Sequence, residues 1–299
     1  MRRAYAAPVV SALNTSLAMS TSETLSKKSA MRKEGMKKLR EYAKTNPTAQ
    51  VADSEKISQH LFDLVRRHTS RDTVLHCCAY LPLPYEVDLR PFMKKVLAYN
   101  TQDDKEGTIK LYVPVVLTPP AAGSDTTLPW HVPVETAPQR LQSAMLFVEL
   151  FNLEEDLAQN FERHGRFNIL ELKQSVLEGF FQAEKEERAL LTCDAWSSLF
   201  PSHAPPASLT TLREEPLLVV TPGVCFDAKG GARLGKGGGY YDRFLQYHRA
   251  GRPDARTTAV AVGFPFQLVE EAIPMTPALD AFMDSLVTPE GVVNREGVA

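Results

Sequence analysis

No run of about 18 apolar residues occurs in the 299-residue chain, so no membrane-spanning helix is expected. Charge of one sign is not in excess. The 34 Lys and Arg against 36 Asp and Glu leave a formal net charge of −2. Dedicated nucleic-acid binders usually carry a strong basic surplus, and that class is disfavoured. Cysteine is scarce: Cys77, Cys78, Cys193 and Cys225 include no C-x-x-C pair. A zinc ribbon, a thioredoxin-type site and a disulfide scaffold are therefore not expected, and a reducing compartment is the default. The seven histidines show no metal-ligand spacing. What is left is an ordinary globular composition, 43% apolar and 23% charged, sufficient for a sizeable core.

The first acid is Glu23, whereas Arg2, Arg3 and several Ser and Thr precede it. That composition fits a mitochondrial transit peptide and equally an unselected tail. Residues 1–26 are set apart on this ground, and the localisation expected is mitochondrial, or otherwise cytoplasmic. Residues 25–43 read as a basic amphipathic helix, with Met36, Leu39 and Ala43 on one line and Lys28 and Arg32 at i and i+4 on one face. Helices are also expected at 51–69, 87–99, 172–190 and 240–250. The mostly apolar runs 74–81, 110–117, 144–150, 216–227, 257–264 and 284–288 are strand candidates. Segments 118–138 and 202–208 are rich in Pro, Thr, Ser and Ala and read as loops. Apolar strands alternating with helices predict an α/β fold, a Rossmann-like, mostly parallel sheet with helices on both faces.

The strongest local signal is GVCFDAKGGARLGKGGGYYD, residues 223–242, with six glycines between Gly230 and Gly239. Glycine permits positive φ and close approach of backbone to a ligand. Successive N–H groups and a following helix N-terminus suit an anion, and Arg233 and Lys236 add positive charge. Gly230-x4-Gly235-Lys236 nearly makes a Walker A loop, but Gly237 stands where that motif needs Ser or Thr. The stretch therefore reads as a phosphate cradle lacking the Mg²⁺-binding hydroxyl. Asp242 is either a first-turn carboxylate that offsets the helix dipole or a ligand holding Mg²⁺ against a polyphosphate. His248 is expected to face solvent, and Cys225 to be a small buried residue rather than a nucleophile.

The run P-G-x-x-F-D followed by R-L-G-x-G-x-G-Y-Y-D, here TPGVCFDAKGGARLGKGGGYYDRFL, resembles the signature of the 5-formyltetrahydrofolate cyclo-ligase family. The resemblance extends over most of residues 27–289. Lys28 and Arg32 resemble the family's K-x-x-x-R. It implies an ATP site formed by Lys28, Arg32, Arg233, Leu234, Gly235, Lys236, Gly237, Gly238, Gly239, Tyr240 and Tyr241. It also implies a folate site that shares Lys236, Gly237, Gly238, Gly239 and Tyr240 and adds Leu81, Glu86 and Phe167. Lys236 and Tyr240 would serve catalysis, and Asp242 and Asp280 would hold Mg²⁺. Departures fall mainly on the folate side. Asn168 and Leu172 replace a usual Gly and Pro, and Pro216 and Leu217 begin a strand where Asp is common. Pro265 and Phe266 replace polar residues. Segments 118–143 and about 173–210 are longer than the family pattern, leaving 27–290 as the catalytic domain and 291–299 as a C-terminal tail.

The implied reaction converts 5-formyltetrahydrofolate to 5,10-methenyltetrahydrofolate with MgATP. The expected partner is a small folate, with or without a polyglutamate tail, acted on by a monomer without nucleic acid or membrane. Two other classes stay open on the residues alone. A sugar-phosphate isomerase or CoA-transferase relative would use the loop for a substrate phosphate. A non-catalytic module would grip RNA phosphates.

Overall fold

The computed structural model describes residues 8–71, 73–117, 144–164, 169–181, 188–192, 209, 212, 214–227, 229–251, 256–276 and 278–296, with α1 side chains from Ser22 onward. The chain begins with helices α1 (Pro8–Thr45) and α2 (Pro47–Arg66). There follow β1 (Val74–Cys78), α3 (Arg90–Asn100), β2 (Thr108–Leu117), β3 (Ala144–Leu150), α4 (Leu153–Asn160), β4 (Phe161–His164), β5 (Ile169–Leu172), α5 (Gln174–Phe181) and β6 (Leu190–Thr192). The last part holds β7 (Leu217–Thr221), β8 (Cys225–Phe226), β9 (Arg233–Leu234), α6 (Tyr240–Gly251), β10 (Thr257–Val262), β11 (Ser285–Thr288) and β12 (Gly291–Asn294).

Eight strands make one sheet in the order β12-β11-β10-β7-β1-β2-β3-β6. The five inner strands β11, β10, β7, β1 and β2 are parallel. Antiparallel β12 closes one edge, and antiparallel β3 and β6 close the other. Strands covered on both faces need near-continuous apolar runs. LLVVT in β7 is buried at every position, and VLHCC in β1 at all but the first. His76, the polar residue of β1, is buried with its Nδ1 2.8 Å from Tyr112 Oη on β2.

The topology positions the site. From β1 through α3 the chain steps to β2 on one side; from β7 through α6 it steps to β10 on the other. Right-handed crossovers taken in opposite directions put α3 and α6 on opposite faces. The strand order therefore reverses between the neighbours β1 and β7. In open α/β sheets the crevice beyond the carboxyl ends at such a reversal is where ligands bind. The segments leaving those ends are the turn to Glu86 and the stretch from Pro222 into the glycine run.

Several expectations shift. Helix α1 begins at Pro8, so the backbone of residues 8–26 in the anticipated tail is helical. The expected C-terminal tail 291–299 contributes β12, paired antiparallel to β11. Of the helix expected at 172–190, α5 is the described helical part, and β6 within the anticipated 173–210 insertion joins the main sheet through β3. Segment 118–143 lies outside the described residues. His248 is buried on α6, with Nε2 3.0 Å from the Thr192 carbonyl, rather than facing solvent. Its side chain ties α6 to the strand edge. Cys225 is buried as expected, and burial pushes its thiol up to about 11, so it stays protonated at neutral pH.

Candidate active site

The glycine run folds as two unlike pieces. Its first part closes the β8–β9 hairpin. The Asp227 carboxylate accepts N–H bonds from Lys229 at 3.0 Å and Gly230 at 3.2 Å, and its carbonyl accepts from Gly231. Gly231 has φ +70, and a Cβ there would lie 2.4 Å from the Met283 carbonyl oxygen. This is an Asx-type turn. Neither Gly230 nor Gly231 lines the cleft that Gly235–Gly239 line, so the near-Walker spacing does not make one cradle. The second part, Gly235–Gly239, lines a cleft of about 600 Å³. Gly237 and Gly239 have φ +107 and +66, a region that side chains with a Cβ rarely enter. The chain turns there directly into α6, whose first N–H groups have no intrahelical acceptor.

Helix α1 forms the facing wall. A Cβ on Gly35 would stand 2.4 Å from Val224 Cγ1, so glycine lets the helix lie directly on the entry to β8. Met31 packs on the small cluster of Cys225, Ala232, Leu234 and Ile273, and Leu39 enters the main core. One helix face is thereby fixed, and Lys28 and Arg32, on that face, are delivered to the cleft. Arg32 Nε donates to the Gly235 carbonyl at 3.0 Å.

Three ion pairs cross the cleft. Lys28 Nζ pairs with Asp280 Oδ2, and the same carboxylate accepts Thr276 N–H at 2.6 Å. Buried Arg233 donates to Asp242 Oδ2 at 3.0 Å and to the Pro222 carbonyl at 3.0 Å, and its guanidinium lies over the Tyr241 ring at 5.7 Å. Asp242 Oδ1 accepts the Ala281 N–H at 3.1 Å, which places the Asp242 and Asp280 segments side by side. Lys236 Nζ reaches Glu86 Oε1 at 2.5 Å, over the Tyr85 ring at 5.1 Å. Glu86 is buried, 6% exposed, and its other oxygen accepts Leu83 N–H at 2.9 Å. Arg243 adds a bond to the Gly238 carbonyl at 3.0 Å and lies over the Tyr240 ring at 5.1 Å. Five cations against three carboxylates line the cleft, an excess of two positive charges that attracts a polyanion. Burial, reinforced by the Glu86 carboxylate, pushes the hydroxyls of Tyr80 and Tyr241 well up. Both remain neutral donors and cannot act as bases near neutrality.

The cleft brings together every site residue expected from the sequence except Phe167, which lies outside the described residues. Leu81 lines it beside Leu83 and Tyr80. Leu234 reaches the lining, but its side chain is buried in the cluster against α1. Asp242 and Asp280 already hold Arg233 and Lys28, so each starts from a neutralised state. Their oxygens are hard donors with lone pairs to spare, and one or two carboxylates beside substrate phosphates is the set Mg²⁺ takes. Among the described residues no group of three or more His, Cys, Asp or Glu could hold a metal ion, so phosphate oxygens would have to complete any coordination. Sequence reasoning missed Arg243 and Tyr85. Arg243, one turn into α6, carried a signal in its charge next to the glycines; Tyr85 carried only its adjacency to Glu86.

Residues 184–289 match the model of the 5-formyltetrahydrofolate cyclo-ligase family. The mitochondrial 5-formyltetrahydrofolate cyclo-ligase of Arabidopsis thaliana is 46% identical over 85 residues, 27% of this chain and 30% of that protein. A probable 5-formyltetrahydrofolate cyclo-ligase of Schizosaccharomyces pombe is 37% identical over 83 residues, 26% of this chain and 40% of that protein. The matched segments thus span about a third of the relatives' length. A 5,10-methenyltetrahydrofolate synthetase from Mycoplasma pneumoniae superposes with a TM-score of 0.44 at 15% identity, covering 88% of this chain and 98% of that one. The part of the cleft from Pro222 to Asp280 falls within residues 184–289, the segment that matches the 5-formyltetrahydrofolate cyclo-ligase family model.

Proposed function

We propose that the protein converts 5-formyltetrahydrofolate and ATP to 5,10-methenyltetrahydrofolate, ADP and phosphate. The observation that carries this is the assembly of one polyanion-attracting cleft, at the strand-order reversal, from three segments far apart in sequence. Arg32 meets Gly235, and Lys236 meets Glu86. A formyl oxygen is a poor leaving group. Transfer of the γ-phosphoryl to it breaks the bond to ADP and gives an imidoyl phosphate. N10 then attacks the formyl carbon, loses its proton, and phosphate departs with the former formyl oxygen. Phosphoryl transfer asks the protein for positioning and charge neutralisation rather than covalent chemistry. Lys28, Arg32, Arg233 and Lys236 supply the positive charge, and the Gly237–Gly239 backbone and the start of α6 receive phosphate oxygens. Glu86, held in place by the Leu83 N–H, accepts hydrogen bonds from the amino edge of the pterin, with Tyr240 packing nearby. Mg²⁺, bound through Asp242 and Asp280, would supply neutralisation of polyphosphate charge.

The isomerase or transferase reading needs a carboxylate ready to act as base or nucleophile. Here Glu86, Asp242 and Asp280 each have a cation within bonding distance, which disfavours it. The test mixes purified protein with 5-formyltetrahydrofolate, Mg²⁺ and ATP and follows the near-ultraviolet band of the methenyl product. ATP-dependent growth is expected. No growth from folded protein would overturn the assignment. We take the enzyme to act as a monomer in the mitochondrion. A reporter carrying residues 1–26 that stays cytosolic would overturn that localisation, and sedimentation as a dimer would overturn the monomer.

A further inference from the structure

The cleft is not uniformly polar. Among the described residues seven large apolar side chains are exposed, and three of them, Leu25, Ile169 and Leu279, line this one cleft. Ile169 stands with Leu81, Val116 and Met145 in its lining, so it belongs to an apolar region of the same cleft as Glu86. Leu25 and Leu279 are placed differently. Leu25 is three residues before Lys28, on the same face of α1 and about 10 Å outward from Arg32 along the helix axis. Leu279 immediately precedes Asp280, the residue that Lys28 binds. The Lys28–Asp280 pair therefore brings the segments that carry the two leucines together in the lining of the cleft. The leucines are 45% and 59% exposed and belong to neither buried apolar cluster. Exposed apolar side chains gathered in one cleft mark a ligand-binding surface.

A ligand suited to this layout is anionic where Arg32, Lys236 and the glycines lie and flat and weakly polar where the leucines lie. A nucleoside triphosphate has that order, and the heterocycle of the second substrate is assigned to Glu86. We propose that Leu25 and Leu279 cover the base of the bound nucleoside triphosphate and make the base contribute to affinity by contact alone. The inference rests on the ATP reading given above. Leucine has no hydrogen-bonding group, so these two residues favour a stacked ring without selecting which base it is.

Inorganic tripolyphosphate separates the base from the phosphates. Calorimetric titration of the full chain with ATP and with tripolyphosphate, in Mg²⁺, is expected to show ATP binding the more tightly. In the double variant Leu25→Ala/Leu279→Ala, the ATP Kd rises roughly tenfold, from loss of two half-covered side chains, while the tripolyphosphate Kd stays within about twofold. Because both side chains are exposed, the variant should fold. GTP and CTP should bind the unaltered protein within about tenfold of ATP. An unchanged ATP Kd in the double variant overturns the inference. So does an equal loss for tripolyphosphate, while in either case the ATP reading survives. Unaltered protein that binds no ATP overturns both.

Discussion

Two halves of one glycine-rich run behave differently. Gly230 and Gly231 turn a hairpin, where a Cβ would meet the Asp227 carboxylate or the Met283 carbonyl; Gly235–Gly239 line a cleft. In the first half glycine is required because the Met283 carbonyl and the Asp227 carboxylate leave no room. In the second, no atom lies nearer than 3.8 Å to a Cβ built on Gly237, and what matters there is positive φ and a bare backbone. The same residue type thus serves packing in one half and ligand approach in the other. A stability measurement and an activity measurement should separate them.

The largest effect is expected where the halves join. Arg233 is buried and holds both the Pro222 carbonyl and Asp242. Arg233→Ala strands the Asp242 carboxylate, costing about 3–5 kcal/mol. It should lower the denaturation midpoint and abolish turnover together; a variant with an unchanged midpoint would show that Arg233 does not tie the halves. Next comes Lys236→Ala. Its side chain is 39% exposed but pairs with the buried Glu86 carboxylate, which keeps the Leu83 N–H, so the melting temperature should fall less than for Arg233→Ala while kcat/KM falls about 100-fold or more. Kinetics within twofold of the parent would make the second half a mere spacer. In the hairpin half the order is inverted. Gly231→Ala meets a backbone carbonyl at a strained φ and should cost about 2–3 kcal/mol in urea unfolding, with kcat per folded molecule kept. Loss of kcat without loss of stability would join Gly231 to the cleft after all. The smallest change is Asp227→Ala, which removes the acceptor of two N–H bonds at the turn for about 1 kcal/mol; a silent variant would mean that the β8–β9 pairing alone sets the turn.

Much of the frame was readable in advance. β7, β10 and β11 are short apolar runs because both of their sheet faces are covered. α6 announces itself by aromatic residues after glycine. K-x-x-x-R places Lys28 and Arg32 on one face because the helical repeat does so for any sequence. The β8–β9 hairpin was not readable. Its strands are two residues long, too short to show a period, and their pairing is set by Val224 N–H reaching the Leu234 carbonyl. Gly291–Asn294, GVVN, is too short for a period to show, and only tertiary pairing marks it as a strand. It becomes a strand because β11 offers an edge. A charged, Leu- and Phe-bearing stretch has helical spacing as far as residue 190, yet Leu190 opens β6 and answers to pairing with β3.

From sequence alone came the residue types of the site, their family resemblance and the class of sheet, all of which depend on local spacing and composition. Tertiary structure decided which charges meet. Lys236 on Glu86, Lys28 on Asp280 and Arg233 on Asp242 are pairings between segments brought together by the strand order. The reversal between β1 and β7 gathers those segments at one end of the sheet. Coulombic attraction acts on distance in space, and no spacing along the chain encodes it.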